Sequence, residues 1–443
     1  MILSKEETKK ILEGVLKLCK ADSAQAGLSG SEEQLVRYAN NMVFTNLSKS
    51  TMNLGVQVAF ENKKGNSSTN QFDEDSLRKC VQRAEQIAKF APPDPEFLPP
   101  LQPQKYKKIK AFIKDTAEIS PEEKTRKVMD IIEHGHKKEM NLFGTFSNSA
   151  SFFAVANSKG LFGYHKYTSA NCTTTARTKD GTGSFRATKD NRDIKKLDAF
   201  IVGKEAIDRA LKSRNPKEIE PSDYTVVFEP EALADLILFM YFFIDARAAD
   251  EGRSFMSTKD GKSKLGTKVF GENVTVKSIP DHPDLLAFPF DNEGIPSQEI
   301  TWIDKGVIKN LYYSRYWAKK KGKKPSSFTG GIVMEGGDAT MEELIKSVKK
   351  GIYVPRLWYI REVNPMTLLL TGLTRDGVFL IEDGQLKHPL LNLRFNESLE
   401  TVLNSITMMT KPEIAIGSEW ELPMLVPGAK VKNFTFTSIA PSV

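Results

Sequence analysis

The 443-residue sequence predicts an α+β protein, and its two halves predict it differently. In the first half, amphipathic helical segments alternate with strand-like segments, which predicts an N-terminal α/β region built on an antiparallel sheet with helices. Beyond about residue 220 the text becomes β-rich to the end, which predicts a C-terminal domain of antiparallel sheets with one buried helix. A hydrophobic content of 40% over this length is enough for two or three real cores.

Taken in order, Ser4-Lys5-Glu6-Glu7 is a capping box that opens a helix with Ile11, Leu12, Val15, Leu16 and Cys19 on one face. Alternating segments near 35–46 and 54–60 predict strands. A helix from about Asp75 to Phe90 stops before Pro92-Pro93, and the Pro-rich stretch from Ala91 to Gln104 is a linker. Ser120-Pro121-Glu122-Glu123 starts another helix with Pro at its first position. Residues 140–190 read as antiparallel strands and 194–213 as a helix. Asn215-Pro216 and Pro221 mark a boundary, so the expected regions are 1–104, 105–220 and 221–443. In the last of these, helices are expected near 231–248, 340–350 and 397–409. Aromatic-bearing strands are expected at Asn310–Trp317 and Lys432–Ser438. Their edges would need protection by a second chain, which predicts a dimer.

Composition narrows the function classes. Cys19, Cys80 and Cys172 are scattered and odd in number, which suits a reducing compartment. The N-terminal segment is too charged for a signal-peptide core, and the longest apolar run, Leu236 to Ile244, is far short of the roughly 20 residues a membrane span needs. The expected location is the cytoplasm, with no membrane partner. A net charge of +7 is a mild excess for a chain of this size. Its one dense cluster, Lys319 to Lys324, reads as a solvated loop, and nucleic acid is not the expected partner.

The most informative stretch runs from Phe288 to Tyr313. Ile300 and Trp302, then Val307, Ile308 and Leu311, flank Asp304-Lys305-Gly306 as a hairpin. Before it, Asp291 and Glu293 lead into Gly294-Ile295-Pro296, where Gly permits a sharp turn and Pro fixes φ, so the acids are held at a turn. This run resembles the C-terminal half of the TldD/PmbA family, whose PmbA members are also called TldE. Matching pieces occur in order along the chain, among them Arg37-Tyr38-Ala39-Asn40, Gly55-Val56-Gln57-Val58, Asn157-Ser158-Lys159-Gly160, Gly336-Gly337-Asp338 and Ile381-Glu382-Asp383-Gly384.

The resemblance implies proteolysis by an assembly in which a TldD-type subunit holds zinc through a His-Glu-x-x-x-His helix and a later Cys. It also implies that the PmbA/TldE branch lacks these ligands and pairs with TldD. This chain departs from the metal-bearing pattern. None of His134, His136, His165, His282 and His388 stands in such a string, and the helix that should carry it, after Glu229-Pro230, contains no His. No zinc is therefore expected here, only in a TldD-type partner. A weak alternative is an oxygen-ligand site built from Asp245, Asp250 and Glu251, although acids beside Arg247 and Arg253 more often form a salt-bridged helix end. No catalytic residue is assigned. Asp291, Glu293, Gly294 and Pro296 are the candidate substrate-binding residues; the two carboxylates can shape the turn, meet a substrate, or act as an acid/base pair. The expected function is a peptide-holding, metal-free subunit that takes an unfolded segment by strand addition beside a TldD-like chain or a second copy of itself. The alternatives are a homodimeric peptidase in its own right and a non-proteolytic modulator binding protein or nucleic acid.

Overall fold

The computed structural model describes residues 2–420 and 422–440. The first half runs α1 (Lys5–Leu18), β1 (Ser23–Ala39), β2 (Met42–Phe60), β3 (Lys63–Thr69), α2 (Glu74–Phe90), α3 (Lys114–Glu118), α4 (Pro121–Lys137), β4 (Met140–Asn157), β5 (Phe162–Thr178), β6 (Ser184–Asn191) and α5 (Ala199–Lys212). Its six strands make one antiparallel sheet in the order β3-β2-β1-β4-β5-β6. The linker after α2 therefore joins two parts of a single sheet, since β1 pairs directly with β4 from Gln25↔Asn157 to Tyr38↔Gly144.

Alternation decides which face is covered. Ala24, Ala26 and Leu28 of β1 point at α1 and α2, forming one core with Leu54 and Val56 of β2. Farther along, Val36 and Tyr38 join Phe146 under α4 and α5. Helices α1 and α4 start where the sequence predicts: Ser4 and Glu7 form the reciprocal capping box, and Ser120 accepts the N–H of Glu123 at 3.1 Å. The helix expected over 194–213 instead begins at Ala199, because a 3-10 turn at Ile194–Lys196 comes first and Asp198 caps α5 through the N–H groups of Phe200 and Ile201.

The second half is β-rich, as expected, and contains two sheets. It opens with β7 (Asp223–Phe228), α6 (Pro230–Phe242), α7 (Ala246–Asp250), β8 (Val276–Ser278), β9 (Ile300–Asp304), β10 (Val307–Ile308) and α8 (Arg315–Lys321). A six-stranded sheet has the order β10-β9-β8 followed by Ile332–Met334, Pro423–Val426 and Glu413–Ile416. The other sheet centres on β7, flanked by Lys350–Val354 in parallel and Ala429–Ile439 antiparallel. Helix α6 is buried from Ala232 to Tyr241 on all sides, the packed interior that its apolar sequence requires.

Three expectations for the second half need correction. The helix expected near 231–248 is broken: α6 ends at Phe242, and Asp245 starts α7 by accepting the N–H of Ala248 at 2.7 Å, so a local Asp cap outcompetes continuation. Asn310–Trp317 is not a strand, because Ser314 caps α8 through the N–H of Trp317. The helices near 340–350 and 397–409 are shorter, at Met341–Lys346 and Leu399–Asn404. The hairpin turn holds: Asp304 pairs with Val307, and Lys305 and Gly306 both take positive φ, the geometry of a two-residue type I′ turn. Lys432–Ser438 lies within a strand. Among the described residues no helix is long and apolar enough to cross a membrane.

Candidate functional site

The Asp291–Pro296 turn is seated against the uncovered face of the N-terminal sheet. Phe290, 1% exposed, packs on Phe153 at 5.3 Å and on Tyr106, just past the linker, at 4.6 Å between ring centroids. Gly163 of β5 makes room for it, since a Cβ there would lie 2.8 Å from the Phe290 ring. Tyr106 donates its hydroxyl to the carbonyl of Gly294 at 2.9 Å, and Gln25 of β1 donates to the carbonyl of Asn292 at 2.9 Å. The turn is thereby tied to both the segment after the linker and the sheet.

The two acids have different surroundings. One carboxylate oxygen of Asp291 accepts the N–H groups of Glu293 at 3.0 Å and Ile295 at 2.9 Å, and the backbone closes the turn with Gly294 at φ +83°. Asp291 is therefore a turn-shaping residue. Burial pushes its carboxyl up to about 6, against the pull of those backbone N–H groups. Glu293 projects outward and pairs with Arg315 at 3.0 Å, whose second nitrogen donates to the carbonyl of Pro99 at 2.6 Å. Pro296 offers its carbonyl to Ser327 at 3.2 Å.

Three connected hollows run past this turn along the open face of β1 and β2. The first, about 510 Å³, lies between Ser31, Thr51 and Ser151 on the sheet and Phe288, Phe290 and Phe328 opposite. The middle one, about 580 Å³, shares Ser29, Asn53, Phe153 and Asn292 with it. The third, about 400 Å³, shares Gln25 and Gln57 with the middle one and is bounded by Lys64, Asp94, Glu96, Glu293 and Arg315. Together they form a trough from Ser31 to Ser23 of β1, roughly 26 Å at about 3.3 Å per strand residue. Sequence reasoning found the turn but not this floor. The signal was there, in the polar residues Gln25, Ser29 and Ser31 alternating with Ala24, Ala26 and Leu28.

The acids of the weak metal alternative are engaged elsewhere. Asp245 is the α7 cap, Asp250 accepts from the Trp317 indole at 2.8 Å and pairs with Lys321 at 3.1 Å, and Glu251 pairs with Arg247 and Arg253. Among the described residues no group of three or more His, Cys, Asp or Glu side chains could hold a metal. In α6 the single buried acid is Asp235, whose carboxylate accepts the N–H groups of Ser418 at 3.0 Å and Glu419 at 3.3 Å; burial pushes it up to about 7. These residues do not fit the metal that a His-Glu-x-x-x-His helix would carry. His134 and His136 lie in the last turn of α4, and His165 is buried on the sheet between Tyr167 and Phe288. Of the lysine cluster, Lys319–Lys321 form the last turn of α8, where backbone carbonyls favour cations.

Three models of one known family match the chain in succession. Residues 24–88 match the PmbA/TldA metallopeptidase domain 1, 114–214 its central domain and 221–438 its C-terminal domain. The chain belongs to the PmbA/TldD family. It is 22% identical over 416 residues to the metalloprotease PmbA of Escherichia coli O157:H7, covering 85% of each chain. It is 23% identical over 407 residues to a PmbA homolog of Haemophilus influenzae, covering 86% of this chain and 84% of that one. The crystal structure of TldE from Thermococcus kodakarensis shares the fold, with a TM-score of 0.84 at 20% identity over 97% of this chain and 100% of that chain.

Proposed function

We propose that this chain is the metal-free, peptide-holding subunit of a TldD/PmbA-type peptidase assembly, working in the cytoplasm beside a metal-bearing TldD-like chain. The observation that carries the reading is the trough. It is long enough for an extended segment of about eight residues, it is floored by side-chain hydrogen-bonding groups, and it is walled by the anchored Asp291–Pro296 turn. Such a surface suits an unfolded peptide, whose backbone groups need partners all along its length. Because the trough lies on the face of the sheet, Ser29, Asn53 and Gln57 supply those partners in place of a free strand edge. The composition of α6 supports assigning the zinc chemistry to the partner, and three free cysteines, two of them buried, suit a reducing compartment.

Fluorescence anisotropy with labelled, unstructured peptides about eight residues long tests the holding role. Saturable binding by the wild type that Ser29→Trp weakens about tenfold supports it, since the indole would block the middle of the floor. Absence of binding, or binding that Ser29→Trp leaves unchanged, overturns it. Mixing with a TldD-like chain from the same cell then tests the assembly: the account expects a stable heteromer whose peptide turnover exceeds that of either chain alone.

A further inference from the structure

The two ends of the trough differ in chemistry. The end near Ser31 is ringed by aromatic groups: Phe153 and Tyr167 from the sheet, Phe288 and Phe290 before the turn, and Phe328 opposite. Phe328 is 37% exposed and stacked on Tyr312 at 4.1 Å between ring centroids, so it presents a flat apolar wall. At the other end, near Ser23, the ion pairs Lys64–Asp94 at 2.5 Å and Arg315–Glu293 at 3.0 Å frame the hollow, and Glu96 is held by Arg247 at 2.9 Å. Phe97 and Leu98 lie on the linker wall of that end. The mid-points of the two ends, near Gly30 and Ala24 of β1, are six strand residues apart, about 20 Å.

We infer that the trough selects extended peptides by side-chain spacing: one large apolar side chain anchors in the aromatic hollow, and the residue six positions away must be polar or charged. This rests on the reading of the trough as a peptide site. An even spacing matters, because residues i and i+6 of an extended chain point to the same face and reach the floor together. Burying a Phe or Leu side chain among aromatic rings removes apolar surface from water, whereas the same side chain at the charged end strips water from ion pairs and returns no hydrogen bond. The volume of about 510 Å³ exceeds a single ring, so the anchor class is any large apolar residue.

The test uses the full chain and labelled Ser/Gly/Asn peptides carrying one Phe. Replacing that Phe by Asp is expected to weaken binding about tenfold or more. Adding Leu six residues from the Phe, on the side that binds the charged end, is expected to weaken binding about threefold or more, while Leu three residues away leaves it within about twofold. Ser31→Trp, which fills the aromatic hollow, is expected to erase the preference for Phe over Asp; Thr51→Trp is the second filling variant should Ser31→Trp fail to fold. Equal affinity for the Phe and Asp peptides, or equal tolerance of Leu at both spacings, overturns the inference while leaving peptide holding intact. Failure of every peptide to bind removes the peptide reading itself, and this inference with it.

Discussion

The two faces of the six-stranded sheet are made by the same strands and carry opposite chemistry. On β1, Ala24, Ala26 and Leu28 are sealed under α1 and α2, while Gln25, Ser29 and Ser31 line the trough. Helices pack against the first face because apolar side chains gain by leaving water; the second face remains wet because Ser, Asn and Gln lose by it unless a partner returns their hydrogen bonds. A long polar sheet face partly roofed by another domain spends some of its hydrogen bonds internally, as Ser31 does on Ser151 and Gln25 on Asn292, and offers the rest, among them those of Ser29, Asn53 and Gln57, to a ligand. The C-terminal domain holds its roof in place through contacts such as Tyr106 to Gly294 and Gln25 to Asn292, leaving a space between them.

Substitutions on alternate residues of β1 test this contrast. The largest effect is expected on the covered face: Leu28→Ala should cost about 2–5 kcal/mol, read as a drop in the denaturant midpoint, whereas Ser29→Ala one residue on should stay within about 0.5 kcal/mol. Equal losses would mean that both faces are core. Next comes the turn that roofs the trough. Asp291→Ala deprives two backbone N–H groups of their acceptor and should cost about 1–2 kcal/mol, while Asp291→Asn, which keeps an acceptor oxygen, should cost about a kcal/mol or less.

The titration of Asp291 gives a finer test. Its carboxyl is raised from 3.8 to about 6 in the folded protein, so folding holds the proton more tightly. That contribution is fully present below 3.8 and is lost as the pH rises through about 6. Asp291→Asn should therefore flatten part of the decline in stability across this window, visible in paired denaturant curves at several pH values. A wild-type and variant difference independent of pH would place Asp291 in water.

For Glu293 the expectation concerns binding. Glu293→Gln weakens the pair with Arg315 and should reduce peptide affinity by a few-fold with the melting temperature nearly unchanged. The smallest effect is expected from the exposed lysines: Lys323→Ala with Lys324→Ala should leave peptide affinity within about twofold. A steep dependence of affinity on salt that these two variants abolish would instead favour a polyanion as ligand.

Much of the fold was legible because its signals are local. A capping box placed α1, a Ser cap followed by Pro placed α4, Lys305-Gly306 placed the hairpin turn, and an apolar run placed the buried α6. The break after α6 was missed because it depends on a single cap by Asp245, inside a sequence otherwise suited to continuing the helix. The expected strand at Asn310–Trp317 failed because aromatic residues suit strands and packed helices alike, and the cap of Ser314 decided between them. Of the site, Gly294 and Pro296 marked the turn, and Asp291 and Glu293 were both visible. Their division of labour was not, because it depends on which backbone N–H groups curl towards Asp291 and on Arg315 reaching Glu293 across 22 residues. The trough itself joins residues of several strands of the sheet to residues hundreds of positions later, which no local pattern encodes.

Photo-crosslinking reads out where a bound peptide lies in the trough. A peptide of about eight residues carrying benzoylphenylalanine at its apolar position is bound, irradiated and mapped by mass spectrometry. Crosslinks are expected at residues 29–31, 51–53, 151–153, 288 and 290–292, all of which border the aromatic hollow, and should be lost with Ser31→Trp. Crosslinks concentrated instead on Met42–Leu47, the exposed far end of β2, or on α1 and α2 over the covered face, would contradict binding in the trough.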